Sequence, residues 1–315
     1  MPLIEVEFEQ LQALLAPLLH GAAITSVELV AGGLVNTLYR VTAAKGTYCL
    51  RIFAAGQRAW ETERNLLTRV AASLPVPEVL LAGDGRADFS HPFLVYHWIE
   101  GMTLNECRRQ VSSAALLSLA EPLGQLLARV AGCSFADPLA GEPHAVQTEW
   151  SSVTTALAAN EARLWRGLAR ERLGPALADA LAQRLEETSA CLLALDDDEG
   201  LAHGDLGGRN ILVIPGDAGH WRVSGLIDWE NAFPGSRLWD VGSLFRYAKR
   251  YSEAFRQRFE RGYGEAGGSL PKDWWRSARL LDATRLVATL NEERALPIVF
   301  AECRELIEAV VADCG

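Results

Sequence analysis

Residues 203–213 read HGDLGGRNILV and residues 226–232 read LIDWENA, and these two segments decide how the chain is read. Ile211, Leu212 and Val213 form a short apolar run, PGDAGH (215–220) supplies a turn, and WRVSGLIDW (221–229) returns as its partner. That pattern is a hairpin. It brings Asn210 and Asp228 to the same end of two neighbouring strands, with Asp205 on the glycine-rich loop just before them. Two oxygen ligands with a third carboxylate close by make a place for a hard divalent cation such as Mg²⁺, which takes one or two protein oxygens and completes its shell with phosphates. The carboxylate of Asp205 then stays available as a base.

Composition limits what can surround this hairpin. The chain has 315 residues, 49% of them hydrophobic and 22% charged, which is enough for two lobes and speaks against disorder. Its six cysteines, Cys49, Cys107, Cys133, Cys191, Cys303 and Cys314, are scattered without a CxxC pair. They read as mostly buried thiols of a reducing compartment. Glu5, Glu7 and Glu9 stand where a signal peptide needs positive charge, and no uncharged apolar run approaches membrane-spanning length, so the expected location is the cytoplasm, with no membrane partner. A formal net charge of -10 argues against nucleic-acid binding and suits a neutral or cationic small partner.

Along the chain the pattern changes character once. Residues 6–19 have helical spacing, and ITSVELVAGG (24–33), LVNTLYRVTA (34–43) and GTYCLRIFA (46–54) give three β-rich runs. WETERNLLTRVAASL (60–74) is helical and stops at Pro75 and Pro77, after which EVLLAG (78–83) and PFLVYHW (92–98) read as two more strands. Beyond residue 103 helical patterns cover 112–132, 150–166, 174–196, 240–263, 273–295 and 297–313, interrupted by the hairpin segment. The expected fold is α+β in two lobes: a small five-stranded antiparallel amino-terminal lobe over 1–98 and a mostly helical carboxy-terminal lobe over 99–315.

The spacing His-x-Asp-x-x-x-x-Asn followed by Ile-Asp matches a kinase catalytic loop and its metal-binding aspartate. HGDLGGRNIL and LIDWENAFPGSRLWDVG (226–242) resemble the two signature segments of the aminoglycoside phosphotransferase and choline kinase family, whose members have a protein-kinase-like fold, and the resemblance covers nearly the whole chain. It implies an ATP-dependent enzyme in which Asp205 is the catalytic base, Asn210 and Asp228 are the Mg²⁺ ligands and His203 supports the loop. Asp240 has two readings, a brace that accepts hydrogen bonds from the catalytic loop or an N-cap of the helix that follows. Phosphoryl transfer asks the protein mainly to position reactants and neutralise charge.

The first lobe is the expected nucleotide site. AGGLVNTLYRV (31–41) places Gly32, Gly33 and Asn36 at a turn between strands, where glycine lets backbone approach phosphates. Arg51 in YCLRIF (48–53) stands where kinases carry a lysine for the α and β phosphates. Arginine keeps the charge but is longer and planar. Its helix partner is expected to be Glu63, with Glu61 as the alternative. Backbone groups of Tyr96, His97 and Trp98 are candidates for the purine edge, with ATP as the nucleotide and GTP as its alternative.

Absences narrow the acceptor. Gly204 replaces the arginine before the catalytic aspartate, Asp228 is followed by Trp229 rather than by Phe-Gly, and no APE segment precedes the next helix, so a phosphorylated activation loop and a protein substrate are disfavoured. Glu230, Asp282, Glu292 and Glu293, with Trp274 and Trp275 as a stacking wall, are the acceptor-site candidates. Arg209 is a further contact for phosphates or acceptor. The leading acceptor is a hydroxyl of an aminoglycoside-type antibiotic. The alternatives are a metabolic small-molecule kinase for choline, homoserine, a thiosugar or a hexose, and a non-catalytic kinase-fold binding protein.

Overall fold

The computed structural model describes residues 3–30, 36–53, 59–85, 89–133, 149–196 and 200–313. The chain divides into two units. The first holds Met1–Met102 together with Leu212–Ile214 and Ser224–Glu230, and the second holds Thr103–Ile211, Pro215–Val223 and Asn231–Gly315.

The first unit opens with α1 (Phe8–Leu19), whose start is fixed by the Glu7 N–H donating to Gln10 Oε1 at 3.1 Å. Leu11, Leu15 and Leu19 recur every fourth residue, so they share one helical face, and all three are buried in the core under the sheet. That sheet contains β1 (Ile24–Leu29), β2 (Thr37–Ala43), β3 (Gly46–Ile52), β4 (Val79–Asp84) and β5 (Pro92–His97), in the order β1-β2-β3-β5-β4. Every pairing is antiparallel. The expected five-stranded sheet with one inserted helix is therefore present. In β2, Thr37, Tyr39, Val41 and Ala43 are buried while the residues between them are half-buried, the period of two that puts alternate side chains on one face. Between β3 and β4 runs α2 (Ala59–Val70). Its buried stripe is Trp60, Glu63, Leu66, Leu67 and Val70, so a glutamate occupies a position that helical spacing reserves for apolar residues.

The second unit contains α3 (Leu104–Gln110), α4 (Ser113–Ser118), α5 (Ala120–Ala131), α6 (Val153–Arg166), α7 (Leu168–Leu173) and α8 (Pro175–Leu193). A short strand pair, β7 (Gly200–Ala202) with β10 (Phe233–Gly235), leads to α9 (Leu238–Leu244), α10 (Glu253–Glu265), α11 (Trp274–Leu290) and α12 (Pro297–Asp313). Strand β6 (Met102–Thr103) and the hairpin strands β8 (Ile211–Pro215) and β9 (Trp221–Leu226) span the division of the chain. Two helices expected as continuous are broken. The run 240–263 splits after α9 because Ser252 caps α10, its hydroxyl accepting the Phe255 N–H at 3.2 Å, and a serine cap offers the backbone a stop that apolar periodicity does not record. The run 112–132 likewise divides at Leu119, and Ser112 caps α4 by accepting the Ala115 N–H. Ser113–Ala131 is long and apolar enough by composition to cross a membrane; in the structure its second part, α5, packs on α10.

That packing rests on two glycines. A Cβ on Gly124 of α5 would run into the Phe259 carbonyl oxygen of α10, and a Cβ on Gly262 of α10 would run into the Glu121 carbonyl oxygen of α5. The two backbones meet with no side chain between them. Because backbone cannot retreat as a flexible side chain can, Gly124→Ala is expected to cost about 1–3 kcal/mol despite alanine's better helix propensity. Urea denaturation measures it, and a neutral or stabilising result would show that the helices are free to separate.

Candidate active site

In the first unit the side chains converge on Arg51, which is 5% exposed at the end of β3. Its Nη1 donates to Glu63 Oε1 at 3.1 Å, and its Nη2 donates to Asp228 Oδ1 at 2.8 Å and to Glu230 Oε2 at 2.6 Å. Asn36 Nδ2 also donates to Glu230 Oε2, at 2.6 Å, and the Tyr96 hydroxyl donates to Glu63 Oε1 at 3.2 Å. One guanidinium is thus held by three carboxylates. The structure brings together Asn36, Arg51, Glu63, Tyr96 and Asp228, while Gly32 and Gly33 lie outside the described residues. Asp228 has a φ of 69°, a left-handed conformation that few residues other than Gly, Asn and Asp adopt. Glu230, an acceptor candidate by sequence, instead partners Arg51 and Asn36.

The three purine-edge candidates are engaged in different ways. β5 is an inner strand, so Tyr96 is paired with Cys49 on one side and Val79 on the other. His97 stacks on Tyr48 with ring centroids 5.7 Å apart. The Trp98 N–H donates to the Thr47 carbonyl at 2.9 Å, and the Arg40 guanidinium lies 4.7 Å from the Trp98 ring centroid.

In the second unit the glycine-rich loop of residues 203–210 is built on Asp240. Its carboxylate accepts the N–H of His203 at 2.7 Å and of Gly204 at 3.1 Å, and Asp240 lies in the first turn of α9 rather than at its N-cap, which is Arg237. The brace is the reading that the geometry supports. Burial raises the Asp240 pKa, against the lowering pull of His203 and of the two amides. Gly204 has a φ of 82°, and a Cβ there would overlap the Asn231 carbonyl oxygen, which is why no arginine can stand before Asp205 in this loop. The Asp205 N–H donates to His203 Nδ1 at 3.3 Å. Asn210 Nδ2 donates to the Asp205 carbonyl at 2.8 Å and to Asp205 Oδ2 at 3.1 Å, so loop backbone and both polar side chains are tied into one frame.

Asp205 forms part of the wall of a cleft of about 520 Å³, a volume suited to a small ligand. The same cleft is lined by Glu149, Trp150, Arg163, Arg246 and Arg285, and by Leu286, Ala288, Thr289, Asn291, Glu292 and Glu293. Arg246 grips Asp282 through two hydrogen bonds, Nε to Oδ2 at 2.8 Å and Nη2 to Oδ1 at 2.7 Å. Burial opposes the charge of Arg246, but Asp282 and then Asp205 outweigh it and hold its pKa above the ordinary value.

A model of the phosphotransferase enzyme family matches residues 26–281. The chain belongs to this family. Three solved structures show how far the phosphotransferase fold extends over the chain. The GDP and kanamycin complex of APH(2")-IIia has a TM-score of 0.71 at 21% identity, covering 96% of this chain and 98% of that one. A thermostable mutant of aminoglycoside phosphotransferase APH(4)-Ia, in ternary complex with ADP and hygromycin B, has a TM-score of 0.64 at 20% identity over 96% and 97%. Macrolide 2'-phosphotransferase MphH from Brachybacterium faecium has a TM-score of 0.65 at 20% identity over 96% and 97%. At such identities the likeness establishes the kinase-like fold, while chemistry has to be argued from the site. No curated protein matches the sequence.

Several cleft residues of the phosphotransferase carry no sequence signal. Arg246 and Arg285 sit on or beside helices, where an arginine reads as part of a solvated face, and Trp150 and Glu149 follow a stretch without periodicity. Of the aromatic candidates, Trp274 is 5% exposed and packs on Phe245 and Phe259, so it anchors the core. Trp275 lies against Phe245 and under Arg256. Arg209 is exposed. Cys49, where burial pushes the thiol up to about 12, is an inert packing residue; the described cysteines are all free thiols, and Cys191 is the exposed one.

The buried acid of the first unit gives this phosphotransferase a pH signature. Burial pushes Glu63 up to about 7, against the pull of Arg51, with Asp228 and Glu230 adding to the rise. A carboxyl with a raised folded pKa contributes stability that is complete below its unfolded pKa, about 4.3, and is lost as pH rises through the folded value. The stability difference between wild type and Glu63→Gln, measured by urea denaturation without nucleotide, is therefore expected to fall between pH 4.5 and 7 by up to about 1.4 kcal/mol per unit. A difference that rises with pH would mean that the ion pair with Arg51 outweighs burial.

Proposed function

We propose that this phosphotransferase moves the γ-phosphoryl group of ATP, with Mg²⁺, to a hydroxyl of a small polar molecule. The observation that carries the reading is Asp205: a half-buried carboxylate on a loop locked by Asp240, on the wall of a cleft of small-molecule size. In the proposed step the acceptor oxygen bonds to the γ-phosphorus, the bond from that phosphorus to the bridging β-oxygen breaks, ADP leaves with the electron pair, and Asp205 receives the hydroxyl proton. Arg51, oriented by Glu63, is proposed to contact the α and β phosphates, with Asn36 nearby, and the strand ending at Tyr96 and His97, followed by Trp98, to border the base. GTP is the alternative donor, and GDP as well as ADP is bound among the solved neighbours.

Each proposed Mg²⁺ ligand, taken by itself, keeps an oxygen for a hard cation. Because Asn210 directs its Nδ2 at Asp205, its Oδ1 is the atom left for a cation, and the Asp228 side chain keeps 35% of its surface exposed. Mg²⁺ takes one or two protein oxygens and completes its shell with substrate phosphates. Bound Mg²⁺ would neutralise charge on the transferring phosphates.

Glu149, Glu292 and Glu293 on the cleft support the aminoglycoside-type acceptor expected from sequence. The metabolic alternative is favoured by the arginines on the same walls, because a polycation would meet them directly. The test is ADP release with Mg·ATP across aminoglycosides, choline, sugars and hydroxy acids, beside calorimetric titration of Mg·ATP. Acceptor-dependent release supports the reading, and failure to bind Mg·ATP overturns it in favour of a kinase fold without turnover.

A further inference from the structure

The arginines of the Asp205 cleft are not matched alike. Among the described residues three arginines line it. Arg163 is matched by Glu149, its Nη2 donating to both carboxylate oxygens at 3.0 and 2.8 Å. Arg246 is matched by Asp282 through two bonds, from Nε and Nη2. Arg285 of α11 has no such partner: among the described residues it forms no ion pair, and its Nη1, like Nη1 of Arg163, is buried without a hydrogen bond. It rests over the Trp150 ring, 5.6 Å from the centroid, which orients the guanidinium plane without supplying an acceptor.

The acids near Arg285 are already engaged. Asp282 holds Arg246, Asp240 holds the loop amides, and Asp205 accepts from Asn210. Burial accordingly lowers the Arg285 pKa, Arg246 adds to the fall, and the three aspartates oppose it without reversing it. A largely buried guanidinium without a carboxylate partner is costly, and Arg285 lines the cleft, where an anionic oxygen of a ligand can pair with it.

Resting on the kinase reading above, we propose that the acceptor bears a carboxylate that Arg285 binds in the cleft while its hydroxyl is presented to Asp205. The class is thus a small hydroxy acid. A single unmatched cation calls for a single negative charge, and Glu292 and Glu293, exposed on the same cleft, would repel a dianionic phosphate. Those glutamates leave room for an ammonium group at the outer end, so an amino hydroxy acid fits as well as a simple one. The planar fork of arginine matches a carboxylate in two bonds, which lysine cannot reproduce.

The probe is a set of matched pairs, glycolate with glycolamide, 3-hydroxybutyrate with its amide and homoserine with its amide, titrated by thermal shift into the full chain saturated with Mg·ADP at constant ionic strength. Acids are expected to bind more tightly than their amides by about 10- to 100-fold. Arg285→Met is expected to abolish that preference and Arg285→Lys to retain part of it, with circular dichroism confirming that both variants fold. Equal binding of acids and amides by the wild type, or an acid preference that survives Arg285→Met, overturns the proposal. Failure of Mg·ADP itself to bind is a separate result, which removes the kinase reading on which the proposal rests.

Discussion

Asp205→Asn is expected to lower acceptor-dependent ADP release by about 10²–10⁴-fold, the range that loss of a positioned general base costs, while Mg·ATP affinity and the unfolding midpoint stay near wild type. Asparagine keeps the size of the side chain and an oxygen that can accept the Asn210 Nδ2 hydrogen bond, so the loop keeps its frame. Only the proton acceptor is lost. Steady-state release with the acceptor found by the panel measures the first quantity, and calorimetry measures the second. If kcat is retained, the proton leaves by another route and Asp205 only positions the hydroxyl. If Mg·ATP affinity collapses together with turnover, the carboxylate belongs to the nucleotide side of the chemistry instead.

Asp240→Ala is expected to destabilise the second unit by about 2–5 kcal/mol and to reduce turnover at least as much as the Asp205 variant does. Two buried N–H groups, of His203 and Gly204, would be left without an acceptor at about 1–3 kcal/mol each. Gly204 is held in a left-handed conformation by that same carboxylate, so losing it releases the backbone on which Asp205 stands. Asp240→Asn keeps one acceptor oxygen and turns a donor toward the other amide, and its loss in stability should fall between wild type and alanine. Urea denaturation of all three proteins orders them. An alanine variant as stable as wild type would show that the loop closes without its brace.

Local patterns were the legible ones. The hairpin, the loop spacing from His203 to Asn210, and Asp228 two residues past the end of β9 are written in adjacent residues, where turn chemistry and strand periodicity act directly. The five-stranded sheet followed for the same reason. Glu63 is matched to Arg51 by the kinase pairing of a strand cation with a glutamate of the following helix, and the burial that separates it from Glu61 is seen only in the structure. Asp240 stayed ambiguous in sequence because a carboxylate near the start of a helix serves equally as a cap or as a brace, and only the distance to His203 separates the two. The arginines of the Asp205 cleft were not legible at all. Arg246, just past α9, and Arg285 of α11 are distant in sequence from Asp205, and nothing about an isolated arginine tells whether its carboxylate partner is present. The break between α9 and α10 escaped because one serine cap outweighs a continued hydrophobic period.

Gly124 and Gly262 carry a consequence for anyone redesigning this scaffold. Replacing glycines inside helices with alanine is a standard route to a more heat-resistant variant, and a method that scores each position by local preference would choose both. Here each residue forgoes about 1 kcal/mol of intrinsic helicity so that two backbones can come within touching distance. Thermostabilising libraries for this chain should leave both positions fixed and draw their diversity from exposed helix faces, such as those of α8 and α12.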